Sequence, residues 1–541
     1  MLFLRNIPRK ISTFVGYLND MHRFIVSIFA LFGVFATAAA QPKIVVNIVV
    51  GGMKASDLER YESNFSDKGF NLLKSGGVVF AECYTDFVPS SSEMALATIA
   101  TGALPSMHGI SSTRWYDRTS GNTIVELCRT RNGRPTAEHF TAPTLAQTIT
   151  ATDKTARAVT IAHNINSAMV LAGRSGECYW IDDIGNWATA ECYSATLPEW
   201  VTKYNESCIN RSHVLGTWFG KLPKSKYLNS RVTDIQIYDI YAKAKSMFAK
   251  KVTDKWVSEL KSTPVGNDAL FDFATKMVDK MVADSEKTGC KMLNICLDTP
   301  RIIAEKYGPD SVEYEDMLYY LDESIAEFMA HITAKYPAKN DYLFLLTSDH
   351  GNGNHNSEQS DFRDSFNTRQ AAVILNAFLS AQFGQGSWVL SFEKGAIYLN
   401  RDLIYAKRLS IAEIQNEAAT FAMQFRGVAN TATATAMLGG VMSSSTSRLM
   451  QNSFYARRSG DILYCLQPNY YELIDDNISI SGSPYNYDRH IPLIFYGAGL
   501  RGRIIDRKMD SSSIAVTTAY LLGITRPDCA DGQLIYELRN R

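Results

Sequence analysis

The sequence predicts an α/β fold in which a doubly wound, mostly parallel sheet is flanked by helices. Four segments are near-continuous runs of β-branched and other apolar residues, a pattern that suits strands buried on both faces of a parallel sheet. Between two of these runs lies a segment with apolar residues at helical spacing, and strands that alternate with such helices are typical of doubly wound folds. The four strand segments are 43–50, 292–297, 342–346 and 491–496.

The first and third strands carry the positions that matter most for function. Gly51 follows the strand 43–50 directly, and Asp349 and His350 follow the strand 342–346. Ligands of open α/β sheets bind beyond the carboxyl ends of the strands. We therefore expect a site at this edge of the sheet.

A long helix is predicted over 312–336, between the second and third strands. Its apolar residues recur every three or four positions, at 317, 320, 321, 325, 328, 329 and 332. This spacing places them on one helix face that packs against the sheet. We assign them to the core, with no cofactor role.

Two stretches interrupt the alternation of strands and helices. Residues 175–285 are rich in Trp, Tyr and Lys, and residues 355–460 end in a tract of small residues at 431–447. We expect both stretches to be insertions that pack as a cap above the strand ends of a single domain, 41–541.

The composition is that of an ordinary globular protein and names no partner. The 541 residues are 46% hydrophobic and 20% charged, and both Lys+Arg and Asp+Glu number 55. A balanced charge gives no field that would recruit nucleic acid or an anionic membrane. The sequence therefore predicts no nucleic-acid partner.

The N-terminus has the features of a secretory signal peptide over residues 21–40. Met21-His-Arg23 precedes an apolar run, 24–35, and a small-residue cleavage site, Ala38-Ala39-Ala40. The alternative is an N-terminal membrane anchor, but the run is too short to span a bilayer comfortably. Residues 1–20 then represent an over-called start, and we expect an exported mature chain that begins near Gln41 and contains no transmembrane helix.

Several motifs, in order along the chain, resemble one enzyme family. They include TIATGALPSMHGI (98–110), RWYD (114–117), TSDHGN (347–352) and GSPYNYDRHIPLIFYGAG (482–499). Together they resemble the phosphate-irrepressible bacterial alkaline phosphatases of the alkaline phosphatase superfamily, which are related to the type I phosphodiesterases and nucleotide pyrophosphatases. The resemblance covers about residues 43–536 and implies an alkaline phosphatase-like fold in the periplasm or at the surface of a bacterium.

The resemblance also implies a two-zinc active site, most of whose ligands this chain lacks. The ligand Asp that ends the first strand is replaced by Gly51, an Asp…His ligand pair by Arg301 and Glu305, and a ligand His by Ser481. Asp349 and His350 are the retained ligands. Two side chains fill half of a tetrahedral zinc shell, so we expect no cofactor, or at most one weakly bound zinc.

The groups that act on the phosphoryl group in the family are also replaced. The nucleophilic Thr becomes Ser92, and the Asn, Lys and Arg that orient phosphate become Thr113, Asn164 and Asn166. Without zinc and without these cations, little stabilises the transition state of phosphoryl transfer. We interpret the chain as a catalytically inactive pseudoenzyme that binds an envelope protein or an anionic ligand.

Other interpretations stay open from sequence alone. One is a single-metal hydrolase of phosphate or sulfate esters, with Ser92 as nucleophile, Asp349 and His350 as ligands and Glu305 as a further candidate ligand. Another is a structural subunit of the envelope. Arg301, four residues before Glu305, can pair with it inside the pocket or can form an exposed ion pair of little value.

Overall fold

The computed structural model describes residues 41–118, 123–207, 217–229, 238–239, 255–353, 365–440, 442, 444–474 and 477–538. Residues from Pro42 onward form one compact unit. The predicted over-called start, 1–20, and the predicted signal peptide, 21–40, lie outside the described residues. None of the helices within the described ranges is long and apolar enough to cross a membrane.

A nine-stranded mixed sheet forms the centre of the fold. Its strands in chain order are β1 (Ile44–Val50), β2 (Val78–Phe80), β3 (Arg157–Ala162), β4 (Glu177–Ile181), β5 (Trp187–Ala188), β6 (Lys291–Leu297), β7 (Tyr342–Thr347), β12 (Leu493–Gly497) and β13 (Arg503–Ile505). Strands β8 to β11 (Val389–Glu393, Ala396–Leu399, Val428–Thr433 and Ile462–Leu466) form a second sheet. In space the order is β13-β2-β12-β7-β1-β6-β3-β4-β5.

The central strands run parallel, as the sequence predicts. β1 pairs in parallel with β6 on one side and β7 on the other, and β6 pairs in parallel with β3. Every residue of β1, β6 and β7 is buried. The α/β fold with a mostly parallel sheet is confirmed, although β12, predicted over 491–496, is antiparallel to β7.

Helices cover both faces of this sheet and bury its two large apolar clusters. The predicted helix 312–336 is observed as α5 (Val312–Lys335), which packs with α3 (Pro264–Ala283) and α4 (Thr299–Tyr307). Eight of the helices are α1 (Ser92–Thr101), α2 (Ile165–Ala172), α3 (Pro264–Ala283), α4 (Thr299–Tyr307), α5 (Val312–Lys335), α6 (Thr368–Phe383), α7 (Ile411–Ala422) and α8 (Ser513–Leu521). Other helices include Phe70–Gly76, Leu145–Thr152, Glu199–Glu206, Lys255–Lys261 and Ser445–Ser453.

The described residues between 365 and 466 contain a second sheet with a core of its own. β8 (Val389–Glu393), β9 (Ala396–Leu399), β10 (Val428–Thr433) and β11 (Ile462–Leu466) form it in the order β8-β9-β11-β10. Its apolar residues pack with those of α6 and α7 into a third cluster, distinct from the two clusters of the main sheet. That 355–460 is an insertion stays a prediction.

The stretch 175–285, predicted as the other cap insertion, belongs in large part to the main body. β4 and β5 extend the nine-stranded sheet, and α3 buries its apolar face on that sheet. Two of the aromatic residues that set this stretch apart in the sequence, Trp187 and Trp200, stack on Phe273 of α3. The cap prediction is therefore corrected for 177–188 and 264–283.

Candidate functional site

The carboxyl ends of β1, β6 and β7 bring the predicted site residues together. Gly51, directly after β1, donates its N–H to Leu297 O at the end of β6 over 2.9 Å. A Cβ added at Gly51 would lie 3.5 Å from Cβ of Arg301. Asp349, after β7, accepts from Gly52 N at 2.8 Å through Oδ1. The three strand ends therefore form one floor.

Asp349 and His350 are both almost fully buried on this floor. His350 N also donates to Asp349 Oδ1 at 2.8 Å. Burial by itself would raise the pKa of Asp349, but His350, the Ser92 hydroxyl, Gly52 N and the Arg301 charge together hold that pKa below its usual value. The carboxylate is therefore kept ionised by its neighbours.

Ser92 lies against this pair at the first residue of α1. Its Oγ is 3.1 Å from Nε2 of His350. The other ring nitrogen, Nδ1, is 2.7 Å from Gly351 O. Because a carbonyl oxygen only accepts, Nδ1 carries a proton, and Nε2 lies within hydrogen-bond distance of the Ser92 hydroxyl. The nucleophile position and both retained ligand positions therefore converge.

Arg301, on α4, lies among carboxylates. Its Nη1 donates to Glu305 Oε2 at 3.0 Å, and its Nη2 lies 3.6 Å from Asp298 Oδ1. Burial alone would lower the pKa of Arg301, but the charges of Glu305, Asp298, Asp349 and Glu93 outweigh burial and raise it. With 21% of its side chain exposed, Arg301 lies inside the pocket and not on the open surface.

Ser481 is held by a lysine that the sequence did not point to. Lys394, in the turn between β8 and β9 of the second sheet, donates from Nζ to Ser481 Oγ at 2.8 Å. Asp298 was also missed, although it follows β6 directly, so the rule that places sites at strand ends could have found it. No motif predicts Lys394, because its neighbours are far away in sequence.

The three positions that orient phosphate in the family have other roles here. Asn164 is the N-cap of α2, and its Oδ1 accepts from Ser167 N at 3.0 Å. Thr113 accepts from Leu127 N through its backbone carbonyl at 2.8 Å. Within the described ranges, no hydrogen bond joins Thr113, Asn164 or Asn166 to Ser92, Asp349 or His350. Their place in the site stays a prediction; the start of α2 does lie beside it, since Ser167 Oγ donates to Asp298 Oδ1 at 2.8 Å.

The donor set does not fit the two zinc ions that the resemblance implies. Asp349, His350 and the Ser92 hydroxyl offer ligand atoms. At the implied ligand pair 301 and 305, however, the Arg301 guanidinium is bound to Glu305, and at position 481 the Lys394 ammonium donates to Ser481. Among the residues that the structure describes, no group of three or more His, Cys, Asp or Glu side chains is arranged to hold a metal ion. The site carries cations of its own.

Comparison with known proteins identifies the family. The sequence model described as type I phosphodiesterase / nucleotide pyrophosphatase matches residues 45–471. The chain belongs to the type I phosphodiesterase / nucleotide pyrophosphatase family. The predicted resemblance to the alkaline phosphatase superfamily is thereby confirmed.

Individual relatives in this family are similar to the chain over nearly its whole length. Alkaline phosphatase PafA of Elizabethkingia meningoseptica is 25% identical over 529 residues, which cover 93% of this chain and 96% of that protein. Alkaline phosphatase PhoV of Synechococcus elongatus is 24% identical, with 93% and 94% covered. The crystal structure of wild-type PafA superposes with a TM-score of 0.83 at 24% identity, covering 93% of this chain and 99% of that one, which shows the shared fold.

Proposed function

We propose that this member of the family binds a partner and does not hydrolyse phosphate esters. The observation that carries the proposal is the pair of cations in the pocket. Arg301 contacts Glu305 and Asp298, and Lys394 contacts Ser481, at positions where the resemblance implies metal ligands. A divalent ion bound at these positions would have to displace the two side-chain cations from their partners.

Phosphoryl transfer lacks its main sources of stabilisation in this pocket. A catalytic metal activates the nucleophile and neutralises charge on the transferring oxygens, which is worth several kcal/mol of barrier. Ser92 has no such ion in the donor set described above, and Asn164 is occupied as a helix cap. Each tenfold in rate corresponds to about 1.4 kcal/mol, so the combined losses bring the rate close to background.

The charge around Arg301 favours a protein partner over an anionic ligand. Four carboxylates, those of Glu305, Asp298, Asp349 and Glu93, interact with this single guanidinium. An approaching phosphate or sulfate would meet a net negative surround. We therefore propose a partner in the envelope, in line with the export predicted from residues 21–40.

One observation favours the alternative, a single-metal hydrolase of phosphate or sulfate esters. Ser92 Oγ lies within hydrogen-bond distance of His350 Nε2, at 3.1 Å, so a nucleophile and a basic group are in contact. Glu305, the further candidate ligand, is turned instead to Arg301. This arrangement supplies Asp349 and His350 as the only protein ligands that the alternative can use within the described ranges.

Hydrolysis and metal content together test the proposal. We expect purified protein to hydrolyse aryl phosphate mono- and diesters only at the background rate and to hold less than one zinc per chain by elemental analysis. Ser92→Ala should match the unmodified protein, as should Ser75→Ala, a control hydroxyl that is exposed on another helix. Activity that is lost both with a chelator and in Ser92→Ala would instead establish the single-metal enzyme.

A further inference from the structure

Lys394 is aimed at the pocket by a turn that tolerates little change. The next residue, Gly395, has φ +66°, and a Cβ added there would lie 2.2 Å from Cβ of Pro89. Its N–H donates to Oε1 of the buried Glu472 at 3.1 Å. Because φ and packing both require glycine, the turn between β8 and β9 holds Lys394 in place.

Two buried carboxylates line the same cavity as Lys394. Lys394, Glu472 and Asp488 line the same small cavity, together with Ser481 and Ser483. Asp488 is 1% exposed, and its Oδ2 accepts from Ser483 N at 2.8 Å. Its Oδ1 has no hydrogen-bond partner among the described residues. The charge of Lys394 offsets part of the burial cost of both carboxylates, and His350 does the same for Asp488.

Arg301 has a similar relation to a buried carboxylate at the end of β6. Asp298 is 2% exposed, and its Oδ1 accepts from Ser167 Oγ at 2.8 Å and faces Arg301 Nη2 at 3.6 Å. Oδ2 of Asp298 has no hydrogen-bond partner within the described part of the chain. A buried carboxylate without a counter-charge is costly, so this carboxylate also depends on a cation.

We propose that Arg301 and Lys394 are tethered counter-cations, which supply the positive charge that divalent ions supply in metal-bound relatives and make the pocket independent of metal. Both cations are side chains of the protein. The pocket therefore does not need to bind a metal ion, and a chelator cannot remove its positive charge. The inference rests on the proposed function in one respect, since both take the pocket to be metal-free. It goes further by assigning a role to Lys394, which lies outside the motifs of the family.

Thermal unfolding with and without metal tests this role. The unmodified protein should keep the same midpoint with a chelator and with added zinc. Lys394→Met and Arg301→Met keep an apolar stem but remove the charge, and each should lower the midpoint by roughly 5 °C. Zinc should then bind the uncovered carboxylates and raise the midpoint of each variant, because a ligand of the native state stabilises it.

Three further variants serve as controls. Lys394→Arg and Arg301→Lys keep the charge and should stay insensitive to zinc. Lys203→Met removes a cation from an exposed ion pair, in which 69% and 81% of the two side chains are exposed, and should change neither the midpoint nor the response to zinc. If a Met variant does not accumulate as soluble protein, Lys394→Gln or Arg301→Gln gives the same comparison.

The outcomes separate this inference from the proposed function. A chelator that lowers the midpoint of the unmodified protein overturns the inference, and so does a Met variant that melts like the unmodified protein or ignores zinc. Hydrolysis is measured independently. Suppose that the protein has phosphatase activity and that neither chelator nor zinc changes its unfolding midpoint. This result would refute the proposed function but not the inference that Arg301 and Lys394 supply the positive charge of the pocket.

Discussion

Gly51→Ala is expected to destabilise the protein, although Gly51 does not have the positive φ that favours glycine. The added Cβ would lie 2.9 Å from the backbone oxygen of Leu297, closer than a carbon and an oxygen normally approach. That oxygen also accepts the N–H of Gly51, so it cannot move away without straining the link between β1 and β6. The contact is with backbone, and a rotamer change cannot relieve it.

Two effects of opposite sign set the magnitude of this change. Overpacking in a buried site costs about 1–3 kcal/mol. Replacing glycine by alanine returns about 0.4–1 kcal/mol through the lower entropy of the unfolded chain. The steric cost is larger, so we expect a net loss of about 1–2 kcal/mol in the free energy of unfolding.

Equilibrium unfolding in urea measures this difference, with Gly439→Ala as the matched control. Gly439 has φ −69°, and a Cβ added there would meet its nearest atom at 3.4 Å, an ordinary contact. The control should therefore be neutral or slightly stabilising. A Gly51→Ala protein as stable as this control would refute the reasoning. Gly51→Asp should be less stable still, because it adds the same Cβ. Restoring the four implied ligand positions, at 51, 301, 305 and 481, would therefore also require β1 and β6 to move apart.

Three other outcomes are expected. Asn164→Ala should cost about 1 kcal/mol in urea unfolding through loss of the α2 cap, whereas Asn166→Ala should cost little; equal losses would contradict the capping role. Burial lowers the pKa of His163 from 6.5 to about 4. Because the folded protein holds this imidazole neutral, its contribution to the free energy of unfolding is fully present above pH 6.5 and falls by up to about 3 kcal/mol as the pH drops toward 4. The pH dependence of unfolding should therefore be shallower in His163→Gln. Mass spectrometry of exported protein should find an N-terminus at or next to Gln41, and an intact Met1 or Met21 on a membrane-bound form would contradict export with cleavage.

The main sheet could be predicted because its central strands are buried on both faces, which leaves a continuous apolar run in the sequence. An apolar run has the same pattern in either strand direction, so the sequence could not predict that β12 pairs antiparallel with β7. The aromatic content of 175–285 suggested a cap, but much of it belongs to the core beside α3. Aromatic residues pack equally well in either place, and composition alone does not distinguish them.

The site was predictable in part for a similar reason. Asp349 and His350 follow a strand within a recognisable motif, and the helical spacing of Arg301 and Glu305 already suggested their ion pair. Lys394 reaches Ser481 from 87 residues away through a turn of another sheet. Contacts of that kind depend on tertiary packing, and no local pattern reports them.

The position of the pocket beyond the strand ends has an evolutionary consequence. Positions 51, 92, 301, 349 and 481 belong to separate elements and lie outside the buried strands, so each can be substituted singly while the core stays intact. Restoring a ligand is harder than losing one, because a Cβ at Gly51 would meet the Leu297 carbonyl oxygen and Lys394 donates to Ser481. If the pocket is metal-free as proposed, no single substitution would return it to phosphoryl transfer, and selection acts on the new role.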